Sequence, residues 1–204
     1  ISYFDNGKIQ LTGGLNFINS NIDISNSLIE KSFSEDAINI VNSKFKIDGL
    51  YIENSKSDGI DIDFGEGEII NASFNNIGGD AIDLSGSDVI LRNIVASRVY
   101  DKAISAGEQT LVNINGLKIS SSRIGIASKD SSMVKGSNIN ISECGLFDFA
   151  VFQKKQFFSG GSLVVNNATS CNSPLIQKGS KLNINEKEIK GQDVDIENLY
   201  KNKL

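Results

Sequence analysis

Histidine and tryptophan are absent from this chain of 204 residues, and proline occurs once, at Pro174. Histidine is the usual side chain that acts as a general base, as the partner of a nucleophile or as a metal ligand near neutral pH. Mechanisms that need a histidine in one of these roles are therefore excluded within this chain.

Basic clusters and long apolar runs are missing as well. The chain carries 20 Lys and Arg against 25 Asp and Glu, a net charge of −5, and its basic residues form no block. Nucleic-acid-binding surfaces need clustered Lys and Arg, so the composition argues against a nucleic-acid partner. No apolar run approaches the roughly 18 residues of a membrane span, so we expect no span in this chain.

The sequence also lacks an initiating methionine and a recognisable secretory leader. We therefore expect it to be part of a longer protein, with additional domains N-terminal to it. The length is sufficient for one solid hydrophobic core and predicts a single domain.

What the chain does have is a repeat of 22 residues. An isoleucine recurs five times at this spacing, and the residue before it is always alanine or glycine. The isoleucines are Ile38, Ile60, Ile82, Ile104 and Ile126, and the small residues are Ala37, Gly59, Ala81, Ala103 and Gly125. A fixed period between 20 and 50 residues is typical of solenoids and propellers.

Apolar and polar residues alternate inside each repeat, as in Ile60-Asp-Ile and Ile82-Asp-Leu. A period of two indicates half-buried strands, and about three such pieces fit into one repeat. The pattern predicts an all-β, three-sided parallel β-helix of seven or eight coils of about 22 residues each. We place this β-helix at 1–180 and a C-terminal cap or tail at 181–204. The apolar residues of the tail are Val194, Ile196, Leu199 and Tyr200.

The two cysteines end similar strings, Ile141-Ser-Glu-Cys144 and Ala168-Thr-Ser-Cys171. Adjacent coils would bring their Cα atoms within the range of a disulfide. The alternative is a pair of buried thiols that act as small apolar side chains. Two isolated cysteines without a histidine do not make a zinc site.

Residues that are 22 positions apart stack on successive coils, because neighbouring strands lie about 4.8 Å apart. Four outward ladders follow from this spacing. They run Glu35, Ser57, Gly79, Asp101, Arg123; then Asp36, Asp58, Asp80, Lys102, Ile124; then Asn39, Asp61, Asp83, Ser105, Ala127; and then Val41, Asp63, Ser85, Gly107, Lys129. We predict ion pairs between Asp80 and Lys102 and between Asp101 and Arg123, worth about 0.2–1 kcal/mol each if exposed.

Five aspartates share one patch on two coils: Asp58, Asp61, Asp63, Asp80 and Asp83. The repulsion between Asp61 and Asp83 is on the order of 3 kcal/mol at an effective dielectric constant near 20. Solvation could relieve the patch, a bound calcium ion could take several of its oxygens, or one raised pKa could create a general acid. The five aspartates are therefore candidate calcium ligands.

Four strings of the repeat resemble the right-handed parallel β-helix repeat family, the pectate-lyase-like superfold, over roughly residues 15–180. They are Ser57-Asp-Gly-Ile-Asp-Ile, Gly79-Asp-Ala-Ile-Asp-Leu, Asp101-Lys-Ala-Ile-Ser-Ala and Arg123-Ile-Gly-Ile-Ala-Ser. The resemblance implies a right-handed helix. Members of the superfold include polysaccharide lyases, glycosidases, epimerases, phage tailspikes and non-catalytic surface modules.

Two enzyme hypotheses follow from the resemblance. The polygalacturonase pattern is matched at Asp58 and Asp80, but Gly79 replaces an acid, Lys102 stands where histidine belongs, and Gly125 replaces a lysine. Inverting hydrolysis needs paired carboxylates, so we interpret the match as shared scaffold. The lyase hypothesis uses Lys102 as base, Arg123 as its partner and calcium beside Asp80. Its weakness is that acidic neighbours raise the pKa of a lysine instead of lowering it.

Phenylalanines cluster before and inside a segment that breaks the period, Lys154-Lys-Gln-Phe-Phe-Ser-Gly-Gly. They are Phe147, Phe149, Phe152, Phe157 and Phe158. One hypothesis is that these rings close the end of the apolar bore, since a solenoid needs a cap. The other is a ligand-binding loop that exposes Lys154, Lys155, Phe157 and Phe158.

Taken together, the sequence and the resemblance predict a secreted or cell-surface module that displays or binds a polysaccharide or another surface polymer. A calcium-dependent polysaccharide lyase, or a related carbohydrate-active enzyme, is the alternative. A purely structural spacer is a third possibility, which the sequence does not separate from the display module. The extracellular location is implied by the resemblance.

Overall fold

The computed structural model describes residues 2–4 and 9–198, with side chains from residue 11 onward. It shows an all-β, right-handed parallel solenoid of about eight turns with 22-residue spacing, which confirms the predicted fold class. The strands are β1 (Ser2–Phe4), β2 (Ile9–Leu11), β3 (Gly13–Ile18), β4 (Asn21–Glu30), β5 (Asp36–Val41), β6 (Lys44–Ser55), β7 (Asp58–Asp63), β8 (Glu66–Ile70), β9 (Ser73–Ile77), β10 (Ile82–Ser85), β11 (Asp88–Gly107), β12 (Leu111–Lys129), β13 (Met133–Ser142), β14 (Phe147–Phe152), β15 (Ser162–Thr169), β16 (Leu175–Ile176), β17 (Lys181–Ile184) and β18 (Lys187–Ile189).

The strands form three faces around one apolar bore. The first face stacks β3, β5, β7, β10, the last residues of β11 and of β12, β14 and β16, all parallel. The second face stacks the first residues of β4 and β6, then β8, then the first residues of β11, β12, β13 and β15, and β17. The third face stacks the later residues of β4 and β6, then β9, then the middle residues of β11 and β12 and the later residues of β13 and β15. The long strands β11 and β12 bend around the corners and contribute to all three faces. We number the coils 1 to 8 from the strand that each one contributes to the first face.

The ladder of isoleucines is confirmed by the strand register. Ile38 pairs with Ile60, Ile60 with Ile82, and the series continues through Ile104 and Ile126. Phe149 extends it on coil 7, and all six side chains are fully buried in the bore. The residue before each isoleucine is alanine or glycine because the next coil lies against it. A Cβ atom on Gly59, for example, would come within 2.5 Å of the carbonyl oxygen of Ala81.

Asparagine occupies many of the corners between the faces. The tight turns between faces need residues with positive φ, and half of the described non-glycine residues in this conformation are asparagine. Asparagine tolerates the left-handed region better than most residues because its short polar side chain bonds locally. The side chains also bond along the corners, as from Asn93 to Asn71 at 3.1 Å and from Asn76 to Asn54 at 2.6 Å.

The C-terminal end of the solenoid closes by a chain reversal. Strand β17 still pairs in parallel with β15, beyond the predicted domain boundary at residue 180, and β18 then folds back antiparallel onto β17. After β18 the chain reaches a helical segment at 196–198. The predicted contributions of Leu199 and Tyr200 lie outside the described residues. No helix in the described part of the chain is long and apolar enough to cross a membrane.

Both cysteines are free thiols. Cys144 is buried, with its Sγ 3.2 Å from the Oγ of Ser122, and burial raises the pKa of its thiol to about 12. Cys171 is exposed, so the prediction of a buried pair is wrong for this residue. The backbone N–H of Cys171 instead donates to Asp148.

Candidate functional site

The outer surface of the first face collects most of the residues that the sequence singled out. Inside each strand the bore-facing residues alternate with outward ones, as in β7, where Ile60 and Ile62 are fully buried and Asp61 and Asp63 are half-buried. The register confirms the outward ladders, because Asn39 pairs with Asp61 and Asp61 pairs with Asp83. Three zones follow one another along this surface, and we call them acidic, cationic and apolar.

The acidic zone covers coils 2 to 4 and contains six carboxyl groups. They belong to Asp36, Asp58, Asp61, Asp63, Asp80 and Asp83. Asp80 forms an ion pair with Lys102. The five predicted aspartates do lie on one surface, and Asp36, which the sequence analysis did not assign to the patch, joins them through its pairing with Asp58.

A line of hydrogen bonds joins three coils at the start of the strands. The backbone N–H of Asp80 donates to Oδ1 of Asp58 at 2.7 Å, and the backbone N–H of Lys102 donates to Oδ1 of Asp80 at 2.8 Å. These carboxylates therefore tie each coil to the next. The backbone bonds also fix the direction of the two side chains.

Lys102 and Asp80 form the predicted ion pair, but it is buried. Nζ of Lys102 lies 3.1 Å from Oδ1 of Asp80, and only 4 % of Lys102 and 5 % of Asp80 is exposed. Nζ also lies 2.5 Å from Asp101, which the sequence analysis paired with Arg123. Asp101 thus turns to Lys102 on its own coil, while Arg123 lies half-buried just before the first-face part of coil 6.

Crowding of the carboxyl groups raises several pKa values. Burial, together with Asp63, Asp36 and Asp83, raises the pKa of Asp61 to about 8. Burial and then Asp80 raise the pKa of Asp58 to about 7. The pKa values of Asp36 and Asp63 are raised as well, mainly by burial. Near neutral pH the zone therefore holds both protonated and ionised carboxyl groups, so that it can donate and accept hydrogen bonds.

The cationic zone lies on coils 5 and 6. Lys129 is almost fully buried there, on the ladder that carries Asp63 on coil 3. The two buried lysines of this zone are Lys102 and Lys129. Ser105 lies between them, is fully buried and pairs with Asp83 in the strand register. Its Oγ has no hydrogen-bond partner within the described residues. The sequence ladders contained Lys129 and Ser105, but nothing in the repeat indicated that they would be covered.

The apolar zone occupies coils 6 to 8 and is covered by the tail. A second cluster of buried side chains, separate from the bore, forms on the outside of the first face. It comprises Ile124, Ala127, Ala150, Phe152, Leu175 and Ile196, with Phe147 and Val194 packed against it. The tail residues Val194 and Ile196 thus close this half of the surface. The apolar pattern of the tail was visible in the sequence, but its docking position was not.

The segment after β14 is a loop held by hydrogen bonds at its base. Oδ1 of Asp130 accepts from the backbone N–H groups of Lys154 at 2.6 Å and Lys155 at 2.8 Å. Lys155 forms an ion pair with Glu108. Loss of water around its ammonium group, followed by the charges of Lys129 and Lys102, lowers the pKa of Lys154.

The ring of Phe157 is 99 % exposed at the tip of this loop, so it does not close the bore. Phe158 is half-buried. Of the clustered rings, Phe149 fills the bore and Phe152 lies under the tail. The placement of Lys154, Lys155 and Phe157 on the outside fits the loop hypothesis.

Metal binding in the acidic zone depends on how its carboxyl groups are arranged. Calcium needs several oxygen ligands that converge on one point. Within the described residues, no group of three or more Asp, Glu or Cys side chains is arranged to hold a metal ion. The outward aspartates follow the strand register, so their carboxyl groups are spread along the surface. The geometry gives calcium no support, and the calcium site stays a prediction.

Comparison with known proteins gives no relative for this chain: no family model, no curated protein and no solved structure matches it. The functional interpretation therefore depends on the surface itself. That surface offers a row of hydrogen-bonding carboxyl groups on rigid strands, followed by a buried Lys102–Asp80 pair and a covered apolar zone.

Proposed function

We propose that this chain is a carbohydrate-binding module that holds a polysaccharide along the acidic zone of the first face. The observation that carries the proposal is the regular spacing of its outward groups. Asp61 and Asp83, both half-exposed, stand in register on neighbouring coils and continue the row of the buried Asn39. Strands of one sheet repeat at about 4.8 Å. A rigid, periodic row of polar groups suits a periodic, hydroxyl-rich polymer.

The charge of the zone defines the class of ligand. An anionic polymer would meet the four half-exposed carboxyl groups of the zone, those of Asp58, Asp61, Asp63 and Asp83. Like charges brought together cost several kcal/mol. A neutral polysaccharide, or one that carries amino groups, does not meet this cost. Asp58 and Asp61, whose pKa values are about 7 and about 8, supply both donors and acceptors for its hydroxyl groups near neutral pH.

The resemblance of the repeat to the pectate-lyase-like superfold supports the same proposal. Many members of that superfold act on or bind carbohydrates, and a module of this kind belongs on a secreted or cell-surface protein. The extracellular location is part of the proposal and depends on that resemblance.

Calorimetric titration of the purified chain with soluble oligosaccharides tests the proposal. The probes are cellohexaose, mannohexaose and chitohexaose, with hexagalacturonate as the anionic comparison. We expect at least one of the first three to bind. The double variant Asp61→Ala/Asp83→Ala should weaken this binding by about tenfold or more, because it removes two carboxyl groups together with their hydrogen bonds to the sugar.

Asp88→Ala is the matched control, since Asp88 is an exposed aspartate on the second face. Its affinity should equal that of the unchanged chain. Binding of hexagalacturonate alone, or equal affinity of the double variant and the control, would contradict the proposal.

A polysaccharide-cleaving enzyme is the second candidate, and one observation favours it. Asp58, whose pKa is about 7, is joined by a hydrogen bond to the residue that pairs with Lys102. A carboxyl group of this kind can act as a general acid near neutral pH. Lys102 is less suited to act as a base, because its contacts with Asp80 and Asp101 favour the ammonium form.

Product analysis separates the two candidates. The chain is incubated with each oligosaccharide, with and without calcium, and chain length is followed by mass spectrometry. Shortening that is lost in Asp58→Asn would support the enzyme. A lyase that uses Lys102 and Arg123 would also need calcium and would lose its activity in Lys102→Ala.

A further inference from the structure

Phe64 occupies a corner position at which the neighbouring coils have asparagine or glycine. The equivalent corner residues on coils 1, 2 and 4 are Asn19, Asn42 and Gly86, with φ of 51°, 46° and 61°. Each of the four donates its backbone N–H to the next coil in the same way, Phe64 to the carbonyl oxygen of Ser85 at 2.8 Å. Phe64 has a φ of 55°, which is unfavourable for a bulky side chain.

The ring of Phe64 gains little burial in return for this strain. The residue is 62 % exposed, so the hydrophobic effect does not explain its presence at the corner. Residues held in strained conformations cluster at binding sites, where the surroundings impose the conformation. The combination of strain and exposure therefore indicates a function for the ring.

The neighbouring coil provides a support for the ring. A Cβ atom on Gly86 would lie 2.7 Å from Cδ1 of Phe64, so the ring lies against the glycine backbone. A larger residue at position 86 would push the ring away. One side of the ring is thereby supported by coil 4, and the exposed remainder faces outward.

Beside the ring lies a polar groove of about 400 Å³, lined by Phe64, Asn19, Asn42, Lys44, Glu66 and Ser20 among others. Nδ2 of Asn42 donates to Asn19 at 2.6 Å, and Lys44 pairs with Glu66 at 3.2 Å. These groups keep further donors and acceptors for a ligand. Asp63 of the acidic zone directly precedes Phe64 in the chain.

We propose that Phe64 is a stacking platform for a pyranose ring, and that the adjacent groove binds the hydroxyl groups of that sugar. An apolar ring face next to amide, ammonium and carboxylate groups matches a sugar, which has a C–H face and a rim of hydroxyls. The inference rests on the proposed function and extends it, because it places one sugar unit of the polymer at the corner between the first and second faces.

Phe64→Asn tests the platform with a residue that the corner accepts. We expect this variant to melt at the same temperature as the unchanged chain or higher, because asparagine suits the positive φ. Its affinity for the best of cellohexaose, mannohexaose and chitohexaose should fall about tenfold, the upper range for the loss of one aromatic contact. Phe64→Tyr should retain affinity within about threefold, since it keeps the ring.

Leu28→Asn is the matched control, because Leu28 is 63 % exposed and lies far from the groove on the third face. Unchanged affinity in Phe64→Asn, in a chain that still loses binding through Asp61→Ala/Asp83→Ala, would overturn the platform and leave the proposed function standing. Absence of binding to all three probes would overturn both. If Phe64→Asn does not fold, Phe64→Leu removes the ring with the smallest change in apolar volume. Its affinity for the same oligosaccharide then tests the platform.

Discussion

The acidic and apolar zones lie on the same backbone repeat and differ only in the residues at equivalent positions. On the ladder that runs Asn39, Asp61, Asp83 in coils 2 to 4, coils 6 to 8 carry Ala127, Ala150 and Leu175. In the first set Asn39 is buried but Asp61 and Asp83 remain half-exposed, whereas the second set is covered by Val194 and Ile196 of the tail. The bore residues set the geometry of both zones, and the outward residues decide whether the surface binds something else or binds the chain itself.

The boundary between the zones should be the most sensitive position. Lys102→Ala removes the cation that compensates buried Asp80, and we expect a loss of about 3–5 kcal/mol in the free energy of unfolding. Urea denaturation at pH 7 measures it. Lys46→Ala, which breaks the exposed pair with Glu68, is the control and should cost less than about 1 kcal/mol. Equal losses would show that burial of the pair has no consequence.

Introducing an aspartate into the apolar zone should also lower the free energy of unfolding. Ala150→Asp places a carboxylate at a fully buried position under the tail, so we expect a loss of about 3 kcal/mol or release of the tail. Urea denaturation and limited proteolysis at 193–198 measure the two effects. Ser85→Asp adds the same group to the half-exposed acidic zone, beside Asp63 in the register, and should cost less than Ala150→Asp because solvent screens the added charge. A tolerated Ala150→Asp would mean that the tail does not seal this surface.

The acidic zone should lose stability as the pH rises. Folding raises the pKa of Asp61 from an ordinary value of 3.8 to about 8, so the folded state favours the protonated form. The stability is fully present below pH 3.8 and is lost as the pH rises through about 8. Because Asp61 is half-buried and solvent screens its charge, we expect Asp61→Asn to gain about 1–2 kcal/mol at pH 9 relative to the unchanged chain.

Thermal melts of both chains between pH 4 and pH 9 measure this gain, which should vanish at pH 4. Asp88→Asn, an exposed substitution on the second face, is the matched control for the loss of one carboxyl group. A gain that is equal at both pH values would contradict a raised pKa as its cause.

Calcium should have the smallest effect if the acidic zone is a polysaccharide-binding surface. Since no described group of three acidic side chains converges on one point, we expect 5 mM calcium, on the order of the weaker extracellular sites, to shift the melting temperature by less than about 1 °C. A larger shift that disappears in Asp61→Asn and Asp83→Asn would instead support the calcium-dependent lyase.

The repeating part of the molecule was predictable in detail. Alternation within strands and the 22-residue spacing were sufficient to place Ile60 on Ile82 and Asp61 on Asp83, because a parallel register brings equivalent residues of successive coils together. The Lys102–Asp80 pair followed from the same rule. Its burial did not, because the rule gives neighbours on one face and contains nothing about what lies above that face.

The non-repeating segments were not predictable in this way. The loop that carries Phe157 and the tail that carries Ile196 have no partner 22 residues away, so their positions depend on which outward residues they contact. The strained conformation of Phe64 was not predictable from the sequence either. The sequence shows only a phenylalanine near a glycine. The corner geometry reveals that the equivalent residues on neighbouring coils are asparagine and glycine, all with positive φ.

By itself, the sequence determined the all-β solenoid, its period, its bore and the order of its outward ladders, since these depend on alternation and spacing along the chain. Only the tertiary structure decided which part of the first face remains open, which aspartates have raised pKa values and where an aromatic ring meets a polar groove. These properties depend on burial and on distances between residues of different coils, loops and tail, and such distances arise only when the whole chain is packed.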